Sequence, residues 1–323
     1  MKNFENASGG TAVQENINVK AIMEEIRKER IDPAGFKRTK LYDDAEIEAD
    51  LEVCRNLEDG FNEQSKNADE EHRSRVERGL AAEYTFRHAI EKYGWLTNKI
   101  NLTIASQYDD YLRGIDAIAE ITYKAGHSEH LGLAIDFASG ADDVSNKLQK
   151  TFDSLDLGYS PSVKYFESSE LGKQKNFKVP RIVIGAGPES LTRLVEYCGK
   201  IMNKSDITES IKQKLQKDDF HYVLLGEMTA QLSVFCNRLD KVISQAHTEK
   251  RNDIDKRAQV SLTIHKKALQ TMLELIKEQG VDMMVIKKHI RKDTFATKMG
   301  LALSALSLTP IDFSREHRKP PDH

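Results

Sequence analysis

Cysteine is scarce in this chain: its 323 residues include only Cys54, Cys198 and Cys236, an odd number at wide spacing. They support neither a disulfide framework nor a CxxC zinc site, and all three are expected as small buried hydrophobes. Long apolar runs are missing as well, since no stretch approaches the roughly 20 residues a membrane helix needs. Met1–Gly10 is polar, with no apolar segment ahead of a cleavage site, so no signal peptide is expected. The sequence also lacks a Walker A motif, HExxH and Gly-x-Ser-x-Gly, which leaves P-loop, zinc-peptidase and serine-hydrolase readings unsupported. Gly185-Ala-Gly187-Pro-Glu-Ser190 has the look of a phosphate-binding turn, but the third glycine is missing. No acidic residue is well placed on a following strand, so a dinucleotide site is not expected. No internal repeat is visible.

Charge, by contrast, is abundant. Charged residues make up 31% of the chain and hydrophobic ones 39%, a balance that suits a helix-rich soluble protein with charged outer faces. The expected compartment is the cytoplasm, with no membrane partner. The net charge of −3 hides an asymmetry: residues 1–79 carry 13 Lys and Arg against 19 Asp and Glu, and residues 200–323 carry 22 against 16. A basic C-terminal part can hold a polyanion; equally, it can lie against the acidic N-terminal part.

Hydrophobic periodicity divides the chain. Residues 1–15 are rich in Asn, Gly and Ser and are expected to be disordered. Residues 16–79 read as a helical extension: a short amphipathic helix carrying Val19, Ile22, Met23 and Ile26, the breaker Asp32-Pro33-Ala34-Gly35, then charged helices over 43–66 and 68–93. From 80 to 203 the pattern predicts an α/β core, with helix, three strands, helix, two strands and helix in that order. The strands are expected at 99–106, 114–123, 130–139, 162–167 and 181–185, with a hairpin-like connection at 124–129. From 204 to 311 everything reads helical. Leu225, Met228, Leu232, Phe235, Leu239, Val242 and Ala246 form one seam, and Ala258, Leu262, His265, Leu269, Met272 and Ile276 a second. An antiparallel hairpin and a homodimer through these helices both fit, and His265 is expected as a core histidine. Residues 312–323 read as a loose tail.

Two aspartates interrupt the apolar strands. Asp116 and Asp136 lie in consecutive strands, where an ionised carboxylate is costly unless it is paired or bound to a cation. Carboxylates on neighbouring strands suit Mg²⁺ (or Mn²⁺), which keeps several waters and takes one or two carboxylates. Glu83, on the preceding helix, is a third candidate.

That order of elements, with Glu83 on the first helix, Asp116 on the second strand and Asp136 on the third, resembles the PD-(D/E)XK nuclease superfamily over the middle third of the chain. The resemblance implies a mixed-sheet core flanked by helices and metal-dependent phosphodiester hydrolysis. It implies Asp116, Asp136 and Glu83 as metal ligands, and a lysine two residues after the second strand acid that orients the attacking water. Position 138 is Ala, so the lysine is displaced. Lys147, near the apolar stripe of the following helix, is the first substitute, ahead of Lys150 and Lys164. Without such a lysine, the core is a catalytically silent module that binds nucleic acid or protein. Lys173, Lys175, Lys178 and Arg181 are expected as a basic loop touching phosphates, and Lys287, Lys288, Arg291 and Lys292 form a further basic cluster.

Overall fold

The computed structural model describes residues 19–96, 99–121, 131–138, 141–168, 171–202, 209–311 and 313. The disorder expected for 1–15, the connection at 124–129 and, apart from Phe313, the tail at 312–323 lie outside them.

The chain is a mixed α/β protein with a small mixed sheet wrapped by helices. Helix α1 (Val19–Glu29) turns its Ile22 and Ile26 inward, and Asp32 caps a 3-10 turn at Pro33–Thr39 by accepting from the Ala34 N–H. Helices α2 (Asp44–Asn67) and α3 (Glu70–Tyr93) follow. The sheet is built from β1 (Ile100–Ile104), β2 (Ala117–Ile121), β3 (Leu131–Ala138) and β6 (Arg181–Gly185), in that spatial order. The first three form an antiparallel meander and β6 joins β3 in parallel. The crossover between β3 and β6 contains α5 (Ala141–Asp156) and a hairpin of β4 (Ser162–Ser168) with β5 (Gly172–Lys178). Helix α6 (Pro188–Met202) leaves β6, and α7 (Glu209–Gln216) follows it.

Both faces of the sheet are covered, as the near-continuous apolar runs require. Ala119, Ile121, Leu133 and Ile135 face the larger core with α3, α5 and the C-terminal helices, whereas Ile118 and Ala134 face a smaller core with Phe36, Tyr42, Tyr165 and Phe166. Three features depart from the sequence reading. A helix, α4 (Gln107–Arg113), lies between β1 and β2, capped by Ser106 and ended by Gly114 at φ 60°. The segment expected as a basic loop is strand β5. Finally, β4 pairs with β5 rather than entering the main sheet. Strand β5 was illegible because its sequence is polar and largely exposed, leaving no period-two apolar pattern.

In the C-terminal region α8 (Phe220–Thr248) and α9 (Asn252–Glu278) fold back on each other through a three-residue turn, Glu249–Arg251. The α8 seam is buried as read from Leu225 to Ala246. On α9 Ala258, His265, Met272 and Ile276 are buried as read, but Ser261 and Ala268 are buried where Leu262 and Leu269 were expected, and those leucines are half-buried. Small residues are favoured here by close approach, because the Ser261 hydroxyl donates to Gly158 O at 2.7 Å. His265 is fully buried, with its ring edge-on to Phe235 at 6.1 Å and Nδ1 2.8 Å from Ser261 O. Burial lowers its pKa to about 4, so it is a neutral core residue. Helices α10 (Met283–Lys292) and α11 (Thr294–Leu308) close the fold. Among the described residues no helix is long and apolar enough to cross a membrane.

Gly158, at φ +75°, shows how tightly α9 is seated: a Cβ there would lie 2.8 Å from both Ala258 N and Ile254 O. Both neighbours are helix backbone and cannot yield as a side-chain tip does. Gly158→Ala is therefore expected to cost about 1–3 kcal/mol from the left-handed conformation and the clash combined. A urea midpoint equal to wild type would contradict this packing.

Candidate functional site

Four elements bring the sequence-predicted residues together at one end of the central strands β2 and β3. Glu83 comes from the middle of α3, Asp116 from the residue before β2, Asp136 from β3 and Lys147 from the second turn of α5. Glu83, Asp116 and Lys147 all line one cavity of about 610 Å³, within the size range of small-molecule sites. Asp136 lies beneath its wall and is 1% exposed.

Asp116 stands one step beyond the Ala117–Ile135 pair, and so faces Asp136 across the β2–β3 ladder. Its backbone stays in the sheet, donating N–H to Ile135 O at 2.8 Å and accepting from Ala105 N at 3.1 Å. Its Oδ2 accepts the Phe137 N–H at 2.5 Å, which fixes the carboxylate against the third strand. Asp136 is held from two sides. Lys147 Nζ lies 2.6 Å from its Oδ1, and the Arg181 guanidinium meets its Oδ2 while donating to Gly114 O at 3.0 Å. Lys147 also donates to Phe137 O and sits 3.5 Å from Asp143. Gly114 allows this crowding, since a Cβ there would fall 2.7 Å from the Arg181 guanidinium.

The electrostatics follow from burial and like charge. Desolvation, then the neighbouring Asp136, Glu83 and Asp110 carboxylates, raise the Asp116 pKa well above the ordinary carboxylate range. Burial and the nearby Asp110 push Glu83 up to about 7. For Lys147 burial works against the ammonium, but Asp136, Asp116 and Asp143 together outweigh it and raise its pKa. Lys147 is therefore a fixed cation at neutral pH and cannot serve as a proton acceptor.

A stability consequence follows. The folded-state pKa of Glu83, about 7, lies above its ordinary value of 4.5, so the folded chain binds this proton more tightly than the unfolded one. That contribution is complete below about pH 4.5 and is lost as pH rises through about 7. Glu83→Gln is expected to flatten the fall in melting temperature between those limits. An unchanged slope in a pH series of thermal melts would count against a buried, repelled Glu83.

Sequence reasoning missed two acids, both on α4. Asp110 lies near enough to raise the Asp116 pKa and pairs with Arg30 at 2.5 Å. Its neighbour Asp109 is fully buried and accepts from Lys164 N at 2.6 Å and Tyr165 N at 3.1 Å, so it anchors the β4–β5 hairpin instead. The only signal was the pair Asp109-Asp110 after a capping serine. Arg181 was expected at phosphates; it is buried against Asp136 and unavailable to them. Lys173 donates to Gly35 O at 2.8 Å, and Lys175 lies 4.4 Å from the Tyr42 ring centroid. With Lys178 they form one strand of the hairpin rather than a loop. Lys164 pairs with Asp50 and Glu46, and Lys150 is exposed; no ion pair ties either to Asp136.

Among the described residues no three His, Cys, Asp or Glu side chains form a ready metal cage. Mg²⁺ does not require one, since it is bound through one or two carboxylates with waters and substrate oxygens. Asp116 and Glu83, which face the cavity and repel each other, fit that requirement. Asp136, with a cation on each oxygen, fits it less well and is placed to hold Lys147. No protein-family model, curated protein or solved structure matches the chain, so the site is read from its own geometry.

Proposed function

We propose that this chain hydrolyses phosphodiester bonds of a nucleic acid with the help of a divalent metal ion, through a core of the PD-(D/E)XK kind. The observation that carries the reading is the placement of Lys147: from a different helix, its ammonium reaches Asp136 at 2.6 Å, beside the cavity that Asp116 and Glu83 line. The order α3, β1, β2, β3, α5, β6, with β3 and β6 parallel, supports the same reading.

In this proposal Asp116, assisted by Glu83, would hold Mg²⁺ or Mn²⁺, which would supply Lewis-acid polarisation of the phosphate and activation of water. Lys147, with two of its three N–H groups held by Asp136 and Phe137 O, turns the third toward the attacking water, and its charge offsets the negative charge that develops there. Asp136 and Arg181 act through Lys147: they fix its direction without touching substrate.

A second reading, a binding module without hydrolysis, is favoured by Ala138 in the lysine position and by the cations on both oxygens of Asp136. Metal-dependent cleavage of labelled single- and double-stranded DNA and RNA separates the two. The proposal expects cleavage that needs Mg²⁺ or Mn²⁺; a folded wild type inert on all four substrates would leave only the binding module.

A further inference from the structure

Exposed cations on α10 and the shape of the cavity together narrow the substrate. Helix α10 lies across the start of α8: its Ile286 and Ile290 press on Gly226, and its His289 ring stacks on Tyr222 at 5.2 Å. That seat leaves Lys287, Lys288, Arg291 and Lys292 exposed on the opposite face, with no acidic side chain paired to them among the described residues. A row of unpaired cations is costly in mutual repulsion and gains from a polyanion.

The row leads to the cavity. Lys292 and Asp293 run directly into Thr294 and Phe295, which line it, and Lys298 one turn later lines it too, as does Arg78 of α3. Phe220, the first residue of the helix that carries α10, is also a lining residue. The cavity is of limited volume. At about 610 Å³ it matches a small-molecule site, and so accepts roughly one or two nucleotides but not a continuous duplex. Beside the acidic residues its wall is apolar, with Phe137, Ala186 and Leu191 half-buried rather than sealed. An unstacked base has a π-face that such a wall can cover, whatever the base.

We infer that the chain takes single-stranded nucleic acid, with the backbone running along α10 and one unstacked nucleotide entering the cavity at Arg78 and Lys298. The inference rests on reading the cavity as a nucleic-acid site, but it concerns binding and is tested without turnover.

The experiment is fluorescence anisotropy of the full chain with labelled single-stranded DNA, single-stranded RNA and the matching duplexes, in EDTA and over a salt series. Wild type is expected to bind at least one single strand about tenfold more tightly than its duplex, with steep salt dependence. Replacing Lys287, Lys288, Arg291 and Lys292 together by Gln is expected to weaken that binding at least tenfold. It should also reduce the slope of log affinity against log salt by about 3, at roughly 0.7 per phosphate contact. Lys298→Gln should weaken binding by a smaller factor, and Lys173→Gln with Lys175→Gln and Lys178→Gln should leave it unchanged. Equal affinity for duplex, an unaffected α10 variant, or loss of binding in the β5 variant would each overturn the inference. Binding as described by a protein that cleaves nothing would remove hydrolysis and keep the strand site.

Discussion

Asp116→Asn is expected to lower metal-dependent cleavage about 10³-fold while leaving the fold intact. The asparagine retains an oxygen that can accept the Phe137 N–H, which Asp116 Oδ2 accepts at 2.5 Å, so the link between β2 and β3 survives. Only the charge at the cavity wall disappears. Because Asp110, Glu83 and Asp136 raise the proton affinity of Asp116, removing its charge also relieves repulsion, and stability should hold or rise. Lys147→Met is the complementary variant: losing one positioned donor at a developing negative charge typically costs 10²–10³-fold. Asp136→Ala is a poorer first test, since it strands Lys147 and the buried Arg181 without their shared carboxylate and mixes unfolding with lost chemistry. Rates under saturating metal, with circular dichroism on each variant, decide the matter. An Asp116→Asn protein that cleaves at the wild-type rate would refute the role assigned to this carboxylate.

The largest expected loss of stability lies far from that site. Arg238 on α8 is 2% exposed and grips Asp156 at the end of α5 through two contacts, at 2.6 and 2.7 Å. Its remaining nitrogen donates to Thr309 O at 2.6 Å, past the end of α11. One guanidinium thus ties the crossover helix, the hairpin and the C-terminal segment. Asp156→Ala leaves that charge buried with carbonyl partners only, and is expected to cost about 3–5 kcal/mol. Replacing both partners, Asp156→Leu with Arg238→Met, should recover most of the loss, because no unpaired charge then remains. Denaturant unfolding of the three proteins checks this; a loss below about 1 kcal/mol for Asp156→Ala would show the pair to be weakly coupled.

Two strand-borne acids in apolar runs, a helix acid before them and a lysine beside the apolar stripe of the next helix were visible as residue types because burying charge has few solutions. Local periodicity likewise placed β1, β2, β3, β4, β6 and the long helices to within a few residues. It failed where the local pattern was weak. Strand β5 is polar and exposed, α4 spans only seven residues, and on α9 the buried positions are Ser261 and Ala268 rather than the leucines beside them.

What the sequence by itself determined, then, is the alternation of helices and strands and the positions of the acids within them. Tertiary structure decided the partnerships. Arg181 turns inward to Asp136 because the parallel pairing of β6 with β3 lays Arg181 beside Ala134, one inward-facing position away. Asp110 joins Asp116 because Gly114 bends the chain back at the end of α4. Lys147 reaches Asp136 because the crossover carries α5 over the end of β3. Each of these contacts depends on a register or a turn that only the packed chain fixes, and no spacing along the sequence encodes it.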